Sequence, residues 1–251
     1  MVKGILFDIG GVLYVGERPI SGAVEVVNTL KNRYKLRFLT NTTRKPPKSV
    51  YLKLQQMGFE ISEDMLFTAL SATKEYIEEQ NGSVYTLLTN EASLYFKELE
   101  SNNPDFVVVG DAYTNFNYEN LNRAFRFLVD GSKLIGAAKN RFFKDSDNKL
   151  SMDAGGFIAA LEYAASTKAK LIGKPNREFF LLACSSMNLE PSEVLMVGDD
   201  IEADIKGAKD AGLLTALVKS GKFREDDLKK GIVPDFIIED VSKIDTILTF
   251  S

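Results

Sequence analysis

The chain contains no histidine in 251 residues. That absence removes His-based triads, imidazole zinc sites and imidazole general bases, leaving chemistry to Asp, Glu, Lys, Ser, Thr, Tyr or a hard metal ion. Cysteine is nearly absent too: Cys184 stands alone. One thiol makes neither an intramolecular disulfide nor a multi-thiolate metal site, which fits a reducing, cytoplasmic setting. With no imidazole to activate it, Cys184 reads as a small buried hydrophobe. No apolar run reaches the roughly eighteen residues that a spanning helix needs. Met1 to Phe7 faintly imitates a signal peptide, but Asp8 interrupts the stretch, and it reads as an interior strand. There is no excess of positive charge: 31 basic against 35 acidic residues give −4. Neither nucleic acid nor an anionic membrane is therefore an expected partner.

The apolar fraction of 45% and charged fraction of 26% are those of a globular protein. Length sets a prior of about 1.7 domains. Apolar bursts alternate with helix-period segments along the chain, the pattern of parallel strands joined by crossover helices in an α/β fold. Strands are predicted at Gly4 to Asp8, Leu36 to Thr40, Val194 to Gly198, Leu214 to Val218 and Asp235 to Glu239. Helices are predicted around Gly22 to Lys31, Pro47 to Met57, Arg177 to Ser186 and Ile201 to Ala211, with Pro47 at a helix start and Gly212 as a C-cap. From about Asn81 to Leu171 a second alternation runs, with strands near Val84 to Leu88, Phe106 to Val109 and Leu134 to Ala137. Its helices fall near Glu91 to Glu98, Tyr118 to Val129 and Gly156 to Ala165. Both flanks return to the first pattern, so this block reads as an insertion.

Four segments place polar residues directly after an apolar run, where open α/β sheets bind ligands. They are Phe7-Asp8-Ile9-Gly10-Gly11, Leu39-Thr40-Asn41-Thr42-Thr43, Gly173-Lys174-Pro175 and Val197-Gly198-Asp199-Asp200 followed by Asp204. Carboxylates from two strand ends make a hard oxygen site suited to Mg²⁺, with Asp8 and Asp199 as first candidates. Thr40 and Asn41 can hold phosphoryl oxygens, and Lys174 adds a compact positive charge. Together these parts describe phosphoryl transfer, with a carboxylate as the available nucleophile. Each part also has a plainer reading: a turn or cap for Asp8, a helix cap for Thr40 to Thr42, a solvated lysine, acids at a helix start.

The order Asp-x-x-Gly-Val, Thr-Asn, Gly-Lys-Pro, Gly-Asp-Asp-x-x-x-Asp resembles the haloacid dehalogenase superfamily of phosphohydrolases. The insertion between the Thr and Lys segments resembles its NagD-like subgroup, and Ile61 to Asp64, Ala124 to Leu128 and Ala160 to Ala164 look like one branch of that subgroup. The resemblance implies a doubly wound, Rossmann-like parallel-sheet core from 1–80 plus 172–251, with a smaller inserted α/β cap at 81–171. It implies Asp8 as nucleophile and Mg²⁺ ligand, Gly10 as a metal contact through its backbone carbonyl, and Thr40 and Asn41 at the phosphate. Lys174 would screen nucleophile from phosphoryl group, Asp199 would be the remaining metal carboxylate, and Asp204 a further metal partner, with Asp200 sharing either role. The partner implied is a small phosphorylated substrate, and a homodimer is one assembly open to such a chain.

One departure matters. Most phosphatases of this superfamily carry Asp two residues after the nucleophile as general acid and base, and this chain has Gly10. Positioned acid–base catalysis contributes about 10²–10⁴-fold, so alkyl phosphates suffer most. Phosphoanhydrides, acyl or aryl phosphates and P–N bonds suffer least, and one member of the resembled branch acts on P–N and pyrophosphate bonds. Two other readings stay open: a silent Mg²⁺ and phosphate binder, and a receiver-type phosphoacceptor module, against which the late position of the paired acids argues. In the inserted block, Asn140 to Lys144 is a candidate leaving-group contact, and Asp153 to Phe157 a helix start that could meet an anion.

Overall fold

A computed structural model of the chain describes residues 1–144 and 149–248, with Lys144 described by its backbone alone. Strands run in chain order β1 (Gly4–Asp8), β2 (Tyr14–Val15), β3 (Arg18–Pro19), β4 (Lys35–Thr40), β5 (Leu66–Thr68), β6 (Val84–Leu87) and β7 (Phe106–Val109). They continue with β8 (Lys133–Gly136), β9 (Phe142–Lys144), β10 (Leu150–Met152), β11 (Lys170–Leu171), β12 (Val194–Gly198), β13 (Leu214–Val218) and β14 (Phe236–Ile238). The helices are α1 (Ala23–Leu30), α2 (Pro47–Gln56), α3 (Ala69–Glu78), α4 (Asn90–Ser93), α5 (Tyr118–Val129), α6 (Ala154–Ala164), α7 (Arg177–Ser185), α8 (Gly207–Ala211) and α9 (Asp245–Leu248). Two compact units result: Met1–Thr40 with Val50–Phe67 and Lys174–Ser251, and Asn41–Ser49 with Thr68–Gly173.

The first unit is built on a six-stranded sheet in the order β14-β13-β12-β1-β4-β5. Every residue of β1 and of β12 is buried, because parallel strands covered by helices on both faces must be apolar throughout. Phe7 pairs in register with Phe38 and their rings stack at 5.8 Å. From β1 the chain crosses to β4 on one side, and β12 returns on the other. This reversal opens a crevice at the carboxyl ends of β1 and β12, the place where doubly wound sheets bind ligands.

The second unit carries a four-stranded sheet in the order β11-β8-β7-β6, parallel in every pair, and an antiparallel β9–β10 ladder. Leu87, Val107 and Val109 from the sheet meet Ala124 and Leu128 of α5 and Ile158 and Leu161 of α6 in one core. Among the described residues no helix is long and apolar enough to cross a membrane.

Two predicted helices differ in kind. Ile201 to Ala211 is not one α-helix: Ile201–Lys206 is a π-helical turn and α8 follows it. Glu91 to Glu98 is a short α4 continued by a 3₁₀ turn over Leu94–Leu99.

Candidate active site

Strand register sets the site before any side chain acts. Asp8 lies opposite Leu39, so Thr40 stands one residue beyond it, and Phe7 lies opposite Val197, two residues before Asp199. The ends of β1, β4 and β12 thus reach one edge of the sheet together. Lys174 lies buried there, its Nζ donating to Asp8 Oδ1 at 2.5 Å and to Asp204 Oδ1 at 2.6 Å. Burial works to lower the ammonium's pKa, but Asp204 and Asp8 outweigh it and hold the proton on.

Asp199 is fixed from one side. Its Oδ2 accepts the Lys222 backbone N–H at 2.7 Å and is hemmed by two glycines. A Cβ built on Gly11 or on Gly221 would fall 2.0 Å from that oxygen, and both backbones sit at positive φ, +88° and +71°. Ser220 Oγ ties the two loops by donating to Gly11 O at 2.7 Å. The other Asp199 oxygen, Oδ1, is buried without a hydrogen-bond partner. Burial, then the charges of Asp8 and Asp204, push the Asp199 carboxyl well above the usual carboxylate range.

Asp204 is placed by the π-turn. Asp200 O accepts from both Asp204 N and Ile205 N, at 3.0 and 3.2 Å. The widened turn presses Asp204 against Gly198, where a Cβ would lie 2.3 Å from Asp204 Cβ. Single π-turns in helices recur at functional sites for this reason: they re-aim one side chain. Burial and the neighbouring acids raise Asp204 to about 6 despite Lys174. Asp200 itself caps the turn, its Oδ1 accepting from Glu202 N and Ala203 N at 3.0 Å each. The cap reading therefore holds for Asp200, which lies outside the three-carboxylate group.

Asp8, Asp199 and Asp204, all buried, offer oxygens within 4.8 Å of one another. Three buried carboxylates against one ammonium leave excess negative charge, and a buried acceptor without a donor costs about 1–3 kcal/mol. A divalent cation answers both costs, and an all-oxygen donor set suits Mg²⁺.

At residue 10 the chain is exposed, and a Cβ there would meet nothing within 4 Å. The missing side chain is therefore not a packing requirement. Thr40 is buried at the end of β4. Asn41 begins the second unit, where a Cβ on Gly173 would lie 2.5 Å from Asn41 Oδ1.

Of the two candidate segments of the inserted block, the helix start departs from its reading. The N-terminus of α6 is not free for an anion: Ala154 N donates to Asp153 Oδ1, and Gly155 N to Asn140 O. Phe143 packs under the Arg44 guanidinium, itself paired with Asp111 at 2.8 Å, and the Lys144 side chain lies outside the described residues. Cys184 is buried, and burial followed by the charge of Glu190 raises its thiol to about 11, so it is inert. Sequence reading includes Gly11 in its first segment without giving it a role, and misses Gly221 and Lys222. The last two follow the strand end Val218, where the rule applied to the other four segments would have found them.

A family model described as haloacid dehalogenase-like hydrolase matches residues 5–102, and one described as HAD-hydrolase-like matches residues 171–244. Human haloacid dehalogenase-like hydrolase domain-containing protein 2 is 38% identical over 237 residues, covering 94% of this chain and 91% of that protein. Human phospholysine phosphohistidine inorganic pyrophosphate phosphatase is 38% identical over 233 residues, covering 90% and 86%. Among solved structures, 4-nitrophenylphosphatase from Thermotoga maritima superposes with a TM-score of 0.90 at 26% identity, covering 98% of this chain and 97% of that one.

Proposed function

The chain belongs to the haloacid dehalogenase-like hydrolase family, and we propose that within it the protein is a Mg²⁺-dependent phosphohydrolase of small phosphorylated molecules, working through phosphorylated Asp8. It is a hydrolase whose named relatives include phosphatases. The observation that carries the finer reading is the partnerless, buried Asp199 Oδ1 beside Asp8 and Asp204, with Lys174 bridging the latter two. Asp8, Asp199 and Asp204, with the Gly10 carbonyl, are the residues that would hold the ion, and when bound it supplies positive charge against the phosphoryl oxygens. The single buried thiol supports a cytoplasmic setting.

Lys174 occupies Oδ1 of Asp8, so Oδ2 attacks phosphorus as the bond to the leaving group breaks. The ammonium fixes the carboxylate's rotation and lowers the repulsion between two anions. Thr40 and Asn41 are assigned to the phosphoryl oxygens, and water then cleaves the aspartyl-phosphate. The second unit, centred on 81–171, is assigned the role of cap. Gly10 supplies no proton to the leaving group, which favours groups that depart unprotonated: phosphoanhydrides, aryl and acyl phosphates, and P–N bonds whose nitrogen is already protonated.

Asp8→Asn tests the mechanism. It is expected to abolish Mg²⁺-dependent phosphate release from p-nitrophenyl phosphate, and persistent turnover would rule the aspartyl-phosphate out. Gly10 also supports a second reading, a silent binder of Mg²⁺ and phosphate. A wild-type protein inactive on every phosphate class, but active as Gly10→Asp, would favour that one.

A further inference from the structure

Lys222 belongs to none of the four motif segments, yet its backbone N–H holds Asp199 Oδ2, and its Nζ stands 3.8 Å from Asp200, the residue next to Asp199. It differs from Lys174 in every respect that matters for a ligand. Lys174 is 2% exposed and shared between two carboxylates at hydrogen-bond distance. Lys222 is 52% exposed, and its Nζ makes only a loose 3.8 Å pair with Asp200. A lysine this exposed carries the ordinary ammonium charge at neutral pH. Four carboxylates against two ammoniums leave two negative charges, which one divalent ion cancels. A neutral site then keeps one ammonium at its solvent side that is not consumed by a short ion pair.

We propose that Lys222 is a specificity-determining residue that selects a leaving group carrying negative charge, a second phosphoryl group, over a neutral or cationic one. The proposal rests on the phosphohydrolase reading and narrows it. On a phosphoanhydride, Asp8 Oδ2 bonds to phosphorus, and the bridging P–O bond breaks with its electron pair going to the departing phosphate. That group needs no proton, so Gly10 costs nothing there, and the Lys222 ammonium offsets the charge that develops. A P–N substrate whose nitrogen is protonated carries positive charge at the scissile bond until the electron pair passes to nitrogen and a neutral amine departs, so the same lysine repels that substrate as it binds. Negative selection by like charge is a common source of specificity.

The test separates charge from structure. Lys222→Met keeps the stem and removes the charge, while Lys222→Arg keeps the charge. Binding is measured calorimetrically in Mg²⁺ buffer with two non-hydrolysable probes, methylenediphosphonate and phenylphosphonate. The Met variant should lose about tenfold in affinity for the diphosphonate and less than about threefold for the monophosphonate, with Arg restoring the wild-type ratio. Because the side chain is half exposed, the diphosphonate preference should shrink as salt is raised in the wild type and not in the Met variant. Equal losses for both probes, or no loss, overturn the proposal. Turnover of pyrophosphate and a phosphoramidate is read alongside. A binding contrast with no hydrolysis of these two or of p-nitrophenyl phosphate overturns the phosphohydrolase reading, and with it leaving-group selection, and leaves Lys222 as a determinant of diphosphoryl-ligand binding alone.

Discussion

Gly10 and Gly11 are neighbours with opposite demands. At Gly10 a side chain would enter open space, whereas at Gly11 it would strike Asp199 Oδ2 from a left-handed backbone. Alanine separates the two. Gly10→Ala should change stability by less than about 0.5 kcal/mol, as surface substitutions do. Gly11→Ala should cost about 1–3 kcal/mol from overpacking, and it should also weaken Mg²⁺ binding, because the carboxylate it displaces carries the partnerless oxygen. Paired thermal melts and metal titrations read both. Matching effects at the two positions would show that Asp199 is not held as described. Gly10→Asp goes further, restoring a carboxyl where the backbone has room. Hydrolysis of an alkyl phosphate should rise at least about tenfold, toward the roughly 10²–10⁴-fold that fully positioned acid–base catalysis contributes, while an anhydride gains far less. An unchanged alkyl rate would mean that protonation of the leaving group does not limit this site.

Elements differ in how openly the sequence announces them. Strands β1, β12 and β13 are legible to the residue, because a strand buried on both faces is a short apolar run, broken in these three only by Thr215, with a polar residue at its end or just after it. The two-residue β2, β3 and β11 are too short to display any period, and their pairing is set by tertiary contacts. Helix α3 carries no clear period because its apolar positions are diluted by Ser, Thr and Ala; its start is a capping box between Thr68 and Ser71, not a hydrophobic signal. The π-turn over Ile201–Lys206 carries the period of any helix, and only its bonds to Asp200 O distinguish it. The candidate residues at strand ends follow from that rule, and Lys222 falls outside it because it is not extended to the end of β13. Helix α6 yields a prediction of its own. Burial works to raise the Glu162 carboxyl, but Lys139 at 2.7 Å and the Ala169 N–H at 3.0 Å outweigh it and hold it below the usual carboxylate range. A carboxyl depressed in the folded state stabilises it above the unfolded pKa, and that contribution fades as pH falls through the folded value. Glu162→Gln should therefore cost about 1.5–3 kcal/mol at pH 7 and progressively less in acid, the difference closing below about pH 4. A penalty in urea melts that does not vary with pH would assign the effect to packing instead.

Across the whole molecule, the site opposes the fold that creates it. Three buried carboxylates converge from β1, the end of β12 and the π-turn, and the metal-free protein bears their repulsion together with the burial cost of Asp199. Active sites commonly sacrifice stability in this way, and removing one offending charge recovers it. The Mg²⁺ reading adds a second half to that expectation, because an ion that binds only the folded state stabilises it by mass action. At a hundredfold excess over its dissociation constant the gain is about 2.7 kcal/mol, or about 5–10 °C in the melting temperature of a chain this long. Asp199→Asn keeps the shape, removes one of the repelling charges and lowers affinity for the ion. In chelator the variant should melt above the wild type. With Mg²⁺ in excess the order should reverse, since the wild type gains the full shift and the variant little. Melting curves for both proteins, with and without the ion, give four temperatures. A wild type unmoved by Mg²⁺ would remove the metal from the site, and a variant that melts lower in chelator would show that Asp199 supports the fold through contacts other than the ion.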